Sequence, residues 1–177
     1  MNILVAGPVG SGKTTQAKIL ASELELKLIK TGDLVRNKAK ENSPEGVLAQ
    51  NAINSGGLAN FQLVAKLIKD ELEKDTEKGV IFDAYPRSLE ELKIFDPHID
   101  KVVFINISDQ EAEKRLTTRK RSDDDPDTIE KRLEVFHKKT TPLINFYKNQ
   151  NKLIEVDGSG TEEEVTQKVK LHISELI

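Results

Sequence analysis

The stretch GPVGSGKTT, residues 7 to 15, follows the apolar run Ile3-Leu4-Val5-Ala6 and contains few side chains that could fill a core. Its spacing, Gly7-x-x-x-x-Gly12-Lys13-Thr14, is that of a phosphate-binding loop, which requires a strand before it and a helix after it. The sequence predicts that strand over Asn2–Ala6 and that helix over 14–23. This one stretch therefore favours an α/β fold with a phosphate site at the end of its first strand.

The residue types in the loop suit the chemistry of phosphate binding. Backbone N–H groups at a helix N-terminus attract anions, and glycine lets the backbone approach them without a Cβ in the way. Lys13 adds a mobile charge for the outer phosphates, and the hydroxyl of Thr14 or Thr15 can reach Mg²⁺. A glycine-rich turn with an incidental lysine is the plainer alternative, and the predicted strand and helix favour the phosphate loop over it. We expect a nucleoside triphosphate with Mg²⁺, although the loop alone does not separate a kinase from an NTPase switch or motor.

Composition limits the class of protein. A chain of 177 residues suits one domain, and the lack of cysteine excludes disulfides and thiolate metal sites. We expect a cytoplasmic protein, because the sequence has neither a signal peptide nor an apolar stretch long enough to cross a bilayer. We also expect a monomer. The net charge of -3 argues against nucleic acid as a partner.

Short apolar strands alternate with longer amphipathic helical patterns along the chain, which predicts an α/β fold around a mainly parallel five-stranded sheet. Ser108 with Glu111 and Thr161 with Glu164 have the spacing of capping boxes, and Asp125 precedes a proline as an N-cap would. The strand candidates are residues 2–6, 26–29, 80–82, 101–107 and 152–156.

The arginines are concentrated in three segments, whereas the lysines are spread along the chain. A planar guanidinium binds phosphate through two hydrogen bonds, so this sorting points to anionic ligands more strongly than surface charge does. Any single arginine has a surface ion pair as its alternative role. The six arginines are Arg36 in TGDLVR, Arg87 in VIFDAYPRS, and Arg115, Arg119, Arg121 and Arg132 in the stretch 115–133.

These segments, in this order, resemble the adenylate kinase family of nucleoside monophosphate kinases. GPVGSGKTTQ is similar to the family's GxPGxGKGTQ, TGDLVR to TGDLLR, and FDAYPRS to LDGFPRT. RLTTR followed by RSDDDPDTIEKRL resembles the arginine segment of members with a short lid, and IEVDGSG resembles the stretch near the last strand. The resemblance implies a single domain over 1–177 with a three-layer P-loop fold, acceptor-binding helices within 31–60 and a very short lid at 119–125.

The resemblance also implies a role for each matching residue. The donor ATP would be held by Gly10, Ser11, Gly12, Lys13, Thr14, Thr15, Arg115, Arg119 and Gly160. The nucleoside monophosphate would be bound by Thr31, Gly32, Arg36, Gly57, Leu58, Ala59, Ala84, Arg87 and Glu91. Arg121 and Arg132 would bridge the two nucleotides, Asp83 would hold Mg²⁺ through water, and catalysis would depend on Lys13, Arg87, Arg119, Arg121 and Arg132. The three histidines lie in unlike contexts, and we expect them to be structural.

The sequence departs from the family pattern at several of these positions. Thr14 stands where the family usually has glycine, which leaves open the threonine that meets Mg²⁺. Ala84 replaces the glycine of DGFPR. Only Lys120 separates Arg119 from Arg121, so we expect a minimal lid. Such a lid would either let water hydrolyse ATP or depend on the acceptor-side helices for closure.

Glu91 is the sharpest departure, because members that use AMP have a glutamine there whose amide both donates to and accepts from adenine. A carboxylate only accepts, which suits guanine or the cytosine amino group better. Alternatively, Glu91 completes a capping box with Ser88. We expect reversible phosphoryl transfer from Mg-ATP to AMP, with CMP, UMP or GMP as alternative acceptors. A P-loop kinase of another small metabolite and a non-catalytic nucleotide-binding module are further alternatives.

Overall fold

A single parallel sheet forms the centre of the computed structural model, which describes residues 1–74, 76–119 and 125–176. Its five strands lie in the order β2-β3-β1-β4-β5. Each predicted strand is confirmed to within one residue at either end. The strands are β1 Asn2–Ala6, β2 Lys27–Lys30, β3 Val80–Asp83, β4 Lys101–Asn106 and β5 Leu153–Asp157.

Helices connect the strands and cover both faces of the sheet, as parallel pairing requires. One turn of π-helix, Phe136–Thr140, joins α7 to α8. The helices are α1 Lys13–Glu23, α2 Thr31–Ala39, α3 Pro44–Ser55, α4 Phe61–Leu72, α5 Leu89–Ile94, α6 Asp109–Arg119, α7 Pro126–Val135, α8 Thr141–Asn149, α9 Glu162–Leu171 and α10 Ile173–Leu176.

Two apolar cores lie on opposite faces of the sheet, because side chains alternate along a strand. Ile3 and Val5 of β1 pack on one face with α1 and α9. Leu4 and Ala6 of the same strand pack on the other face with α4 and α8. The expected three-layer arrangement is therefore confirmed, and it brings the carboxyl ends of all five strands to one edge of the sheet.

Helix caps agree with the sequence at two positions and differ in part at a third. Thr161 and Glu164 form the predicted capping box, and Asp125 caps α7 by accepting from the Thr128 N–H. Ser108 Oγ accepts from the Glu111 N–H, but the Glu111 carboxylate accepts from Arg115 Nε (2.7 Å) instead of returning to Ser108. Arg115, one helical turn away, thus binds the Glu111 carboxylate that would otherwise accept from the Ser108 N–H.

None of the described helices is long and apolar enough to span a membrane. Most of the predicted lid at 119–125, including Arg121, lies outside the described residues, and only the backbone of Arg119 is described.

Candidate active site

The phosphate loop joins the end of β1 to α1 through two glycines in the left-handed conformation. Gly10 has φ 84° and Gly12 has φ 83°, values that other residues adopt only with strain. A Cβ on Gly10 would lie 2.9 Å from the Ala112 carbonyl oxygen, so the loop packs directly against α6. A Cβ on Gly12 would meet no atom within 4 Å, and α1 begins there with no side-chain cap. The positive end of α1 is therefore available to an anion.

The first turn of α1 carries the lysine and one threonine that face the site. Lys13 Nζ donates to the Pro8 carbonyl oxygen at 3.1 Å, and Thr14 Oγ1 donates to Asp83 Oδ2 at 2.6 Å. Asp83 ends β3 and is only 7% exposed, and its Oδ1 has no hydrogen-bond partner among the described residues. A buried carboxylate oxygen without a partner requires a ligand or a water molecule. Of the two threonines, it is Thr14 that bonds to Asp83.

A cavity of about 440 Å³ opens beside this turn and extends to the helices that follow β2. Lys13, Thr14 and Asp83 line its donor side. Most of the predicted acceptor residues line the same space, namely Thr31, Gly32, Arg36, Gly57, Leu58, Ala59, Ala84, Arg87, Glu91 and Arg132. The fold thus brings together residues that are up to 119 positions apart in sequence, counted from Lys13 to Arg132.

Other predicted residues lie outside the lining of this cavity. Ser11 is buried, and its Oγ accepts from the Lys13 N–H, so its side chain shapes the loop from within. Gly10, Gly12 and Thr15 belong to the loop and the first turn of α1 without lining the cavity. Arg115 and Gly160 do not line it either, and Gly160 lines a second cleft. His98, His137 and His172 do not line it.

The acceptor side begins with a buried hydroxyl and an ion-pair network. Thr31 Oγ1, at the start of α2, is buried without a hydrogen-bond partner among the described residues. Arg36 donates to Asp33 Oδ1 at 2.6 Å, and Lys30 also pairs with Asp33. Although burial raises it, hydrogen bonds from Lys30 and Arg36 hold the pKa of Asp33 below its ordinary value. Lys30 and Arg36 thus place two cations, both paired with Asp33, beside the uncapped start of α2.

Arg87 is fixed through both its backbone and its side chain. Its N–H donates to Glu91 Oε2 (2.6 Å), its carbonyl accepts from Thr140 Oγ1 (2.8 Å), and its Nε donates to the Ala84 carbonyl (2.9 Å). Thr140 belongs to the π-helical turn and also lines the cavity. No sequence motif marked Thr140, which lies in this π-helical turn.

Glu91 has a different bond from the one that a capping box predicts. Ser88 Oγ accepts from the Glu91 N–H (3.1 Å), as expected, but the carboxylate accepts from Arg87 and not from Ser88. Glu91 is 2% exposed, and burial raises its pKa in spite of the hydrogen bond and charge of Arg87. One side chain therefore supports the Arg87 segment and also lines the cavity.

Ala84 shows why glycine is the family's residue at this position. Its φ is 61°, which is the left-handed region, and its N–H donates to the Val5 carbonyl. An alanine in that conformation costs roughly 1 kcal/mol relative to glycine. Ala84 therefore holds a conformation that glycine would adopt without this cost.

The end of β5 forms a separate cleft at the same edge of the sheet. Asn106, Ser108 and Glu111 line one side of it, and Asp157, Ser159 and Gly160 line the other. Arg115 donates from one terminal nitrogen to the carbonyls of Gly158 (3.0 Å) and Gly160 (3.1 Å). In this structure Arg115 therefore holds the loop that contains Gly160.

A phosphate loop at the carboxyl edge of a parallel sheet, with a second basic site across one cavity, defines a P-loop nucleotide kinase. The family model of adenylate kinase matches residues 5–152. The chain belongs to the adenylate kinase family, and it is a phosphotransferase whose phosphoryl donor is ATP.

Three relatives illustrate the similarity. Adenylate kinase 1 of Nostoc sp. is 37% identical over 176 residues, which cover 95% of this chain and 96% of the relative. An adenylate kinase of Leptospira biflexa is 36% identical over 94% of this chain and 96% of its own. An adenylate kinase of Fusobacterium nucleatum is 30% identical over 96% of both chains.

Proposed function

We propose that the protein catalyses reversible phosphoryl transfer from Mg-ATP to AMP, giving two ADP. The observation that carries this proposal is the single cavity that joins Lys13, Thr14 and Asp83 to Thr31, Arg36 and Arg87. Two phosphate-binding regions that share one space allow direct transfer between two anions without a covalent enzyme intermediate. The relatives, all named adenylate kinases, support the same reaction.

The proposed mechanism depends on positioning and on positive charge. The uncapped start of α1 and Lys13 hold the outer phosphates of ATP. Arg36 and Arg87 hold the phosphate of the acceptor. Arg132, together with Arg119 and Arg121, would neutralise the charge that spreads over the transferred group, because a loose transition state places that charge on its equatorial oxygens.

We propose that Mg²⁺ binds at Thr14 and Asp83. The buried Asp83 Oδ1 without a hydrogen-bond partner and the adjacent Thr14 hydroxyl are oxygen donors of the type that Mg²⁺ prefers, with water completing the shell. When bound, the ion neutralises phosphate charge. Asp83 and Thr14 would orient it, and Thr15, which does not line the cavity, would not take part.

The choice of acceptor base is the part of the proposal that depends most on Glu91. The comparisons favour AMP over CMP, UMP and GMP, whereas a charged carboxylate would suit guanine or cytosine better. The test is to incubate the protein with Mg-ATP and each of the four monophosphates, and to separate the products. We expect ADP to accumulate fastest with AMP. Faster formation of a different nucleoside diphosphate would identify a different acceptor. Failure to form a diphosphate from any of the four monophosphates would refute the proposal.

The domain organisation and oligomeric state are proposed as well. We propose that α2 and α3, within residues 31–60, form the acceptor-binding part of one domain, and that residues 119–125 form a short lid. We also propose a cytoplasmic monomer that binds nucleotides and has no nucleic-acid or membrane partner. Sedimentation of the purified protein at several concentrations tests the monomer directly.

A further inference from the structure

The loop that follows β5 is held by two cations on two different helices. Lys168 of α9 donates to the carbonyls of Asp157 (3.2 Å) and Ser159 (3.3 Å) and to Asp157 Oδ2 (2.7 Å). Arg115 of α6 donates to the carbonyls of the two alternate residues, Gly158 and Gly160. Four successive carbonyl groups are thus bound alternately from two sides, which fixes the path of the backbone at every residue of the loop.

Further contacts hold the same loop against the sheet. Asp157 Oδ1 accepts from both the N–H (2.9 Å) and the hydroxyl (2.6 Å) of Ser159. Hydrogen bonds from Lys168 and Ser159 hold the pKa of Asp157 well below its ordinary value, as expected for a carboxylate that is bound in its charged form. A Cβ on Gly158 would lie 2.6 Å from Ile105, so the loop packs on the end of β4 without a gap.

The position of the loop connects it to the donor nucleotide. Asp157, Ser159 and Gly160 form one wall of the cleft whose other wall follows β4. The phosphate loop packs on α6 through Gly10, so this cleft and the phosphate site share α6 and one edge of the sheet. In open parallel sheets, nucleotides bind across the carboxyl ends of the strands. A nucleotide with its phosphates at the start of α1 can therefore extend its base into this cleft.

We propose that Lys168 is a positioning residue for the donor nucleotide, because it holds residues 157–160 in the shape that forms the wall of the donor's base cleft. This inference rests on the proposed function, since it takes ATP as the occupant. A wall that is already ordered loses less conformational entropy when the base binds. Without the Lys168 ammonium, the carbonyls of Asp157 and Ser159 would lose their fixed partner, and the loop would have to be ordered by the nucleotide itself.

Lys170 offers a matched control on the same helix. Its side chain is 39% exposed, as is that of Lys168, and it pairs with Glu23 at 2.6 Å where Lys168 pairs with Asp157 at 2.7 Å. Its partner Glu23 belongs to α1, and among the described residues Lys170 has no hydrogen bond to residues 157–160. Lys168→Met and Lys170→Met remove the same charge and one surface ion pair each, but only the first change loosens the loop.

The experiment measures ATP and AMP affinity by titration, together with kcat and both KM values, in the original protein and in Lys168→Met, Lys168→Arg and Lys170→Met. We expect Lys168→Met to weaken ATP binding and raise its KM by about three- to tenfold, with kcat and the KM for AMP within about twofold. Lys168→Arg should restore most of the ATP affinity, and Lys170→Met should leave every constant near its original value.

Two results would overturn the inference. One is an ATP affinity in Lys168→Met equal to that in Lys170→Met. The other is an equal loss of ATP and AMP affinity, which would indicate general loosening of the fold. Failure of the proposed function is a separate result, because it would appear as no ADP from ATP and AMP in the original protein, while the ATP titrations would still compare the variants.

Discussion

The donor and acceptor sides of the cavity are built differently. The phosphate loop is tied to the sheet: it continues β1, packs against α6 without space for a side chain at Gly10, and leads into α1, whose apolar face is buried. The acceptor-side helices have little core of their own. Thr31 is the one fully buried residue of α2, and α3 buries only Gly46 and Ala49.

This difference has a thermodynamic consequence. Elements that bury little apolar surface open at a lower free energy than the core of a domain. The donor phosphates therefore meet a site that is already formed, whereas the acceptor side depends on ion pairs such as Arg36 with Asp33 that a bound phosphate can replace. Substitutions in the phosphate loop should act mainly on turnover, and substitutions on the acceptor side should act mainly on selectivity and stability.

The largest effect should come from the donor side. Lys13→Ala removes the charge that faces the outer phosphates, and we expect kcat/KM to fall by about 10³-fold or more, as for the loss of a principal charge on a transferring phosphoryl group. The fold should be retained, because Lys13 belongs to none of the apolar clusters of the described residues. Product formation and thermal unfolding of the same preparation check both statements, and near-normal turnover by a folded variant would refute the donor assignment.

A smaller effect is expected where the two sides meet, at Arg132. Arg132→Lys keeps the charge but loses the planar guanidinium, so we expect kcat to fall about 10²-fold while ATP affinity changes only a few-fold. Pre-steady-state rates and ATP titration separate the two quantities. Equal losses in rate and affinity would show that Arg132 binds the ground state and does not act mainly in the transition state.

The acceptor side should respond at Glu91 through selectivity. If the carboxylate faces the base, Glu91→Gln supplies an amide that pairs with both the amino group and N1 of adenine. Supplying a partner to one mispaired buried polar group is worth roughly 1 to 3 kcal/mol, or about 5- to 150-fold in relative kcat/KM. The measurement is kcat/KM for AMP against GMP and CMP in both proteins at one pH and one Mg²⁺ concentration. An unchanged ratio would show that Glu91 does not recognise the base, and its role would be limited to accepting from the Arg87 N–H.

The smallest effect is a pH dependence of stability at the same residue. Burial raises the pKa of Glu91, so the folded protein prefers the neutral carboxyl group, and ionisation above the ordinary glutamate pKa reduces stability. Glu91→Gln removes this titration and can still accept from the Arg87 N–H. We therefore expect the variant to gain stability over the original protein at pH 8 and to gain less near pH 4. A stability difference that does not change between these two pH values would contradict the burial argument.

The parts of the molecule that sequence predicted best are those fixed by local spacing. The glycines and lysine of residues 7–13 determine a loop and a helix start within one short segment, and Thr161 and Glu164 satisfy each other without help from elsewhere. The carboxylates of Glu111 and Glu91 do not bind their predicted capping serines. Glu111 accepts from Arg115, and Glu91 accepts from the Arg87 N–H.

Contacts between distant segments were beyond the reach of the sequence patterns. Thr140, in the π-helical turn before α8, donates to the Arg87 carbonyl from 53 positions away. Lys168 of α9 donates to the Asp157 carbonyl at the end of β5. Neither residue belongs to a motif. The predicted roles of Arg119 and Arg121 stay predictions, since they concern side chains outside the described part of the chain.

The strand order also has a consequence for recombination and protein engineering. The chain leaves the sheet at Lys30 of the edge strand β2 and returns at Val80 of the neighbouring β3, so residues 31–79 form an excursion from one side of the sheet. A chimera that exchanges this excursion for a relative's would keep every strand pair. It would transfer the acceptor residues Thr31 and Arg36 but leave Glu91 with the recipient. The proposed acceptor site is therefore encoded in two separable parts. In the proposed function, such a crossover would exchange residues that hold the acceptor phosphate, whereas a substitution at Glu91 would act on the choice of base.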